Sequence, residues 1–316
     1  MSAVAVVRQT AEVALAIVLA PFFMGWISQC RAWLQNRSAP SLIQPWRMLR
    51  KLFSKDAMLA EHASPLFRLT PYVLFGSMIL AAAIIPSVAT DLPFAWVADA
   101  IALVGLFATA RVFIALAAMD IGTAFGTLGA RREMMIGFLA EPALLMVFFN
   151  AFLISGSTAL PSIVQRLAAP PFVIYPSLAF AGVAFVMVLL AENARIPIDN
   201  PATHLELTMI HEAMVLEYSA RHLALVEWAS ALKLFNYACI GFALFVPWGI
   251  ATGGAGGAAL ILAVSALVAK LAAAGAGLAL VETLSAKLRI FRAPEFLAMA
   301  FLLAVLGVLV HLLLGA

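Results

Sequence analysis

Cysteine and charge are both scarce in this 316-residue chain, and each shortage closes off a class of function. The two cysteines, Cys30 and Cys239, stand far apart and fit no ligand motif. That excludes a disulfide framework and an iron–sulfur cluster built from this chain alone. Charged residues make up only 11% against 65% hydrophobic, with a mean hydropathy of +1.05. This is the composition of an integral membrane chain, not a globular one. There is no nucleophile triad, phosphate loop or dinucleotide fingerprint. No internal repeat is visible at any period, which argues against a self-contained secondary transporter. The pI near 9.1 does not indicate nucleic acid, because most basic residues lie in short loops between apolar runs.

Eight apolar stretches are long enough to cross a bilayer, which takes about 20 residues as helix. They lie near 11–29, 68–89, 96–118, 134–156, 171–192, 226–249, 257–282 and 293–314. The expected fold is therefore all-α, a single integral membrane domain over 1–316 with eight spans and amphipathic helices in its inner loops. With the N-terminus outside, the inner loops are 30–67, 119–133, 193–225 and 283–292. They hold nearly all the arginines and lysines outside the spans, while the outer side keeps only Arg8 and Arg166. The positive-inside rule then places both termini outside. The first span resembles a signal peptide and reads as a retained helix because the chain continues as a polytopic protein.

The first inner loop interleaves Arg31, Arg37, Arg47, Arg50, Lys51 and Lys55 with Trp33, Leu42, Trp46, Leu49 and Phe53. Its stripe at 42, 46, 49 and 53 suits a helix on lipid headgroups, a docking surface for a cytoplasmic subunit, or a gate beside a pocket. The third inner loop is denser in charge. Residues 192–219 carry Glu192, Arg195, Asp199, His204, Glu206, His211, Glu212 and Glu217. Pro197 and Pro201 bracket Asp199 and interrupt the helix before it. A polar, partly non-helical insertion at membrane depth survives only where it lines a cavity or is covered by protein. Spacing around Pro197 suggests that Glu192, Arg195 and Asp199 pair with one another.

Inside the spans lie Arg111, Glu141, Lys233 and Lys270, with Asp120, Glu133, Glu192, Glu227 and Glu282 near their inner ends. Charge at that depth marks function by default, although interfacial solvation accounts for Asp120, Glu227 and Glu282 without it. Arg111 and Lys270 are deep enough to be expected in the interior, paired with acids. Glu141 precedes Pro142, whose missing amide leaves a helix carbonyl free and favours hydration around the carboxylate. Were 204–222 one unbroken helix, His204, His211 and His222 would fall within about 20° of one face. His211-Glu212 lacks the second histidine of a zinc-protease motif, so proton relay or subunit contact is the more economical reading.

Ala191-Glu192, Arg195-x-Pro197-x-Asp199, Glu206-Leu207 and Glu217-Tyr218-Ser219 resemble the third inner loop of a known family. It contains subunit 1 (the H subunit) of respiratory NADH:quinone oxidoreductase and the equivalent membrane subunits of formate hydrogenlyase and energy-converting nickel–iron hydrogenases. Gly129-Ala130-x-Arg132 with Glu141 nine residues on, and Arg37, Gln44-Pro45 and Lys51-Leu52, match further. Quinone-reducing members typically show Asp-x-Pro-Glu-Ala-Glu-x-Glu-Leu here. This chain has Ala202 and His204 at the first two of those glutamates, and a longer run from Glu206 to Glu217. Both departures tell against a standard quinone chamber, and the short overall length and the Arg131-Arg132-Glu133 segment are closer to the hydrogenase-associated members, of the hydrogenase-4 component C kind.

The resemblance implies a non-redox membrane anchor with no catalytic centre or metal of its own. It would hold hydrogenase-like large and small subunits and iron–sulfur subunits on its inner face, in a bacterial or archaeal cytoplasmic membrane. The nickel–iron centre and iron–sulfur clusters would belong to those partners. A proton path toward antiporter-like subunits would draw on Glu133, Glu141, Glu192, Asp199, Glu206, Glu212, Glu217, Glu227, Lys233, Lys270 and Glu282. Arg37, Arg111, Arg132, Arg195, His204 and His211 would pair or dock. Two other readings stand beside it: a quinone-site component of an NADH-quinone oxidoreductase, and a passive scaffold.

Overall fold

The computed structural model describes residues 3–60, 63–90, 93, 99–169, 175–199, 210–251, 256–286, 288 and 292–314. Among them the chain is helical throughout, without a named strand. In order the helices are α1 (Ala3–Leu34), α2 (Gln44–Phe53), α3 (Pro65–Ile84), α4 (Ala100–Asp120), α5 (Ala124–Ser155), α6 (Leu160–Ala168), α7 (Pro176–Glu192), α8 (His211–Val215), α9 (Ala220–Phe245), α10 (Gly257–Leu284) and α11 (Ala293–Leu314). Seven are long and apolar enough to cross a membrane, and α7 is a shorter apolar helix. These eight coincide with the eight stretches read from hydropathy. The chain is a polytopic membrane protein.

Local chemistry sets the boundaries. Ser64, Asp99 and Thr123 cap α3, α4 and α5, each side chain accepting a backbone amide of the first turn. Gly156 closes α5 at φ 70, a left-handed conformation that costs glycine nothing. Between the spans the structure is more helical than the loop assignments suggested. Most of 119–133 belongs to α5, leaving only a short turn after α4, and a further short helix, α6, follows α5.

The helices pack in a continuous series. α3 rests on α4 and α9, α4 on α5, and α5 on both α7 and α11, which also pack on each other. α1 joins α9 to α10, and α10 touches little else among the described residues. α7 closes back onto α9, so α4, α5, α7 and α9 surround one interior volume, with α8 inserted against α4 and α5. In the first loop, α2 is amphipathic and turns Trp46 and Phe53 onto Trp228 of α9, at ring distances of 5.3 and 6.2 Å.

Candidate functional site

Arg111 projects from α4 into that interior and is only 4% exposed. A buried guanidinium is tolerable only with counter-charge and filled hydrogen bonds. Three carboxylates from two other helices supply both. Nε donates to Glu133 at 3.3 Å, while the two terminal nitrogens donate to Glu141 and Glu192. Glu133 and Glu141 lie on α5 just over two turns apart, and Gly137 between them gives the guanidinium its room. A β-carbon at Gly137 would collide with Arg111.

Glu192, the last residue of α7, is 3% exposed and also binds Lys233 of α9 at 2.9 Å. Tyr237, one turn along α9 from Lys233, stands beside Glu192 as well. From the loop side, His211 opens α8 with Nε2 at 3.2 Å from Glu133 and Nδ1 at 3.7 Å from Asp199. Its backbone amide donates to the same Asp199 carboxylate at 3.4 Å. The result is one connected line of charge, from Asp199 through His211, Glu133 and Arg111 to Glu141, Glu192 and Lys233. Four carboxylates face two fixed cations, which favours a proton on the histidine. Burial alone would push His211 down, yet Glu133 and Asp199 outweigh it and hold the imidazole above its ordinary value.

Arg111, Glu133, Glu192, His211 and Lys233 wall a cavity of about 230 Å³, with Glu212, Glu227 and Arg195 also on its lining. Met24, Leu74, Met78 and Ile114 add apolar surface to the lining. At its edge is a second charged group. Glu282 of α10 accepts Arg195 at 3.0 Å and lies 3.5 Å from Arg31 of α1. Desolvation draws the Arg195 pKa down, and the Glu282 carboxylate works against it.

The structure thus brings together Arg111, Glu133, Glu141, Glu192, Asp199, His211 and Lys233, and sets Glu212 and Glu227 on the same cavity. Arg195 and Glu282 form the neighbouring group. Glu217 is exposed on the loop, Arg37 is exposed beyond the end of α1, and Arg132 is half-buried. Glu206 and His204 lie outside the described residues.

Two expectations change, and one condition is not met. Glu192, Arg195 and Asp199 each meet groups from elsewhere in the chain: Arg111 and Lys233, Glu282, and His211 respectively. The turn after α7 sends the three side chains in different directions, with Ala194 at φ 51. Lys270 finds no acid among the described residues. Its ammonium reaches the free carbonyl of Val246 at 2.6 Å, just past the end of α9, and lies 5.9 Å from the Phe242 ring centre. Nor does one helix carry His211 and His222, since residues between α8 and α9 redirect the chain. His222 packs edge-on to Tyr72 instead.

Two residues escaped sequence reading. Tyr237 was signalled only by its i+4 spacing from Lys233. Glu12, buried near the start of α1, accepts the Ser87 hydroxyl at 3.2 Å, and a lone acid in an apolar run was its only mark.

Comparison with known proteins decides the relationship. The NADH dehydrogenase family profile matches residues 9–313. The chain belongs to that family. Within it, formate hydrogenlyase subunit 4 of Escherichia coli K12 is 33% identical over 278 residues, 88% of this chain and 89% of that protein. Hydrogenase-4 component C of the same organism is 34% identical over 248 residues, 77% and 76% of the two chains. The H subunit of NADH-quinone oxidoreductase from Streptomyces avermitilis is 26% identical over 260 residues, 73% of this chain and 55% of that one. A chain in the structure of the membrane-bound sulfane sulfur reductase, an archaeal respiratory membrane complex, superposes with TM-score 0.83 at 20% identity. That match covers 96% of this chain and 98% of the other, and it concerns the fold. For this NADH dehydrogenase family member, the described residues contain no group of three or more His, Cys, Asp or Glu placed to hold a metal ion.

Proposed function

We propose that this chain is the membrane anchor and proton-coupling subunit of a multisubunit oxidoreductase of the hydrogenase or formate hydrogenlyase kind. Hydrogenase-like large and small subunits and iron–sulfur subunits dock on the face formed by the cationic loops, and carry the nickel–iron centre and clusters. Electron transfer in them shifts charge near Asp199 and His211, and the buried acids pass that shift sideways to antiporter-like subunits. The membrane is the bacterial or archaeal cytoplasmic membrane, with both termini outside.

The observation that carries this reading is the course of the charge line. It begins on the polar loop, crosses the interior through Arg111, and ends at Glu141, whose side chain is 34% exposed beside the 79%-exposed Phe138 of α5. A carboxyl at membrane depth that looks out of the bundle is costly against lipid and is accommodated by a neighbouring protein. The test is Glu141→Gln, which keeps shape and most hydrogen bonding but removes titration. The variant complex is expected to assemble with its partners while losing redox-linked ion translocation. Wild-type translocation per electron would remove Glu141 from the path and favour a passive scaffold.

A quinone site is the second reading. It is favoured by the cavity itself, whose lining combines apolar Met24, Leu74 and Met78 with the charged groups.

A further inference from the structure

Away from the charged cavity, α1 and α10 enclose a second crevice of about 370 Å³. Its walls are apolar: Leu19, Phe22 and Trp26 from α1, Val268 and Leu271 from α10, and Leu42 from the first loop as a roof. The indole nitrogen on this wall is already satisfied, because Trp26 Nε1 donates to the Ala272 carbonyl at 2.9 Å. The volume falls in the range of about 300–1,000 Å³ typical of ligand sites. Yet the two helices already touch, and a further helix about 10–12 Å across cannot enter between them. A flexible alkyl chain can.

Charge stands at the loop end of the same two helices. Arg31 follows Trp26 by five residues, about 7.5 Å along the axis toward the cationic loops and about 140° around it, and its guanidinium reaches Glu282 of α10 at 3.5 Å. Its side chain is 33% exposed, and it shares the single carboxylate of Glu282 with Arg195, so one anion serves two guanidiniums. The surrounding segment 30–60 holds six cations, from Arg31 to Lys55, against the one acid Asp56. Trp33 lies edge-on to Trp26 at 5.7 Å and is 56% exposed, an aromatic at the level where headgroups meet hydrocarbon. Apolar slot, interfacial tryptophan and half-compensated guanidinium thus gather at one end of α1, the three surfaces that an acyl chain, a glycerol backbone and a phosphate require.

We propose that the crevice between α1 and α10 binds one acyl chain of an anionic phospholipid, whose phosphate rests on Arg31. The lipid belongs to the leaflet against the cationic loops, and it holds α10, otherwise packed on α1 almost alone, to the rest of the bundle.

The experiment uses the intact complex from native membranes. With benzoylphenylalanine at Val268, irradiation is expected to give a phospholipid adduct by mass. A cross-link to a protein subunit instead would overturn the proposal. In detergent-washed complex, native mass spectrometry is expected to show a retained anionic phospholipid. Val268→Trp fills the slot and Arg31→Gln removes the charge, and each is expected to weaken retention about tenfold, equivalent to about 1.4 kcal/mol. Leu262→Trp, at an exposed position elsewhere on α10, is expected to leave retention unchanged. Retention of neutral lipid alone, or equal retention in all variants, would overturn the assignment.

Discussion

Individual residues in this molecule are held by electrostatic satisfaction more than by bulk. Arg111 is the clearest case, because removing it takes a cation from three carboxylates, two of them almost fully buried. Breaking a buried pair from one side typically costs about 3–5 kcal/mol. Arg111→Gln is therefore expected to lower the melting temperature of the detergent-purified complex sharply and to cut its yield. A melting temperature equal to wild type would mean the acids do not depend on this guanidinium. His211 makes a prediction about pH. Its pKa is raised in the folded protein, so the folded state binds the proton more tightly than the unfolded state does. That stabilisation is complete below the ordinary histidine value of about 6.5 and fades as pH rises through the raised value. Melting temperature should fall over this interval in wild type and fall less in His211→Asn, which cannot titrate. Identical slopes would assign the pH dependence to other groups.

At the scale of elements, the first loop is pinned to the spans at several points. Gln29 donates to the Pro40 carbonyl at 3.0 Å, and the Leu42 carbonyl lies directly over Gly25 of α1. A β-carbon at Gly25 would collide with that carbonyl oxygen, and backbone cannot yield as a side-chain tip does. Gly25→Ala should thus lift the loop, at a cost of about 1–3 kcal/mol by analogy with overpacked cores. Limited proteolysis near Arg37 should accelerate in the variant; unchanged cleavage would show that the loop is held elsewhere. α2, docked through Trp46 and Phe53 onto Trp228, joins the loop to α9, next to Glu227 and Ala229 on the cavity wall. The first loop is in this sense part of the cavity's support.

For the whole molecule, the distribution of arginine and lysine predicts which side of the membrane each loop faces. A single cysteine at Asn36, in a background lacking the buried Cys30 and Cys239, should resist an impermeant thiol reagent added to intact cells and react after permeabilisation. Labelling from outside would invert the topology and move the proposed docking face with it. The coupling proposed through Glu141 depends on the same orientation, because it requires the acidic loop to face the side on which redox subunits are proposed to dock.

The sequence by itself determined the spans, since a run of about 20 apolar residues has no other stable fate in a bilayer and each run declares itself locally. It also singled out Arg111, Glu141 and Glu192, because charge at that depth is expensive enough to be noticed without knowing its partner. Partners were another matter. Glu192 meets Lys233 and Arg111 from helices far away in the chain, Arg195 meets Glu282, and Asp199 meets His211 across an irregular turn. Lys270 ends on a carbonyl because its position on α10 turns it away from the charged interior. Pairing of this kind depends on helix rotation and packing order, which no spacing along one segment encodes. Only the tertiary structure could decide it, by setting α4, α5, α7 and α9 around one guanidinium.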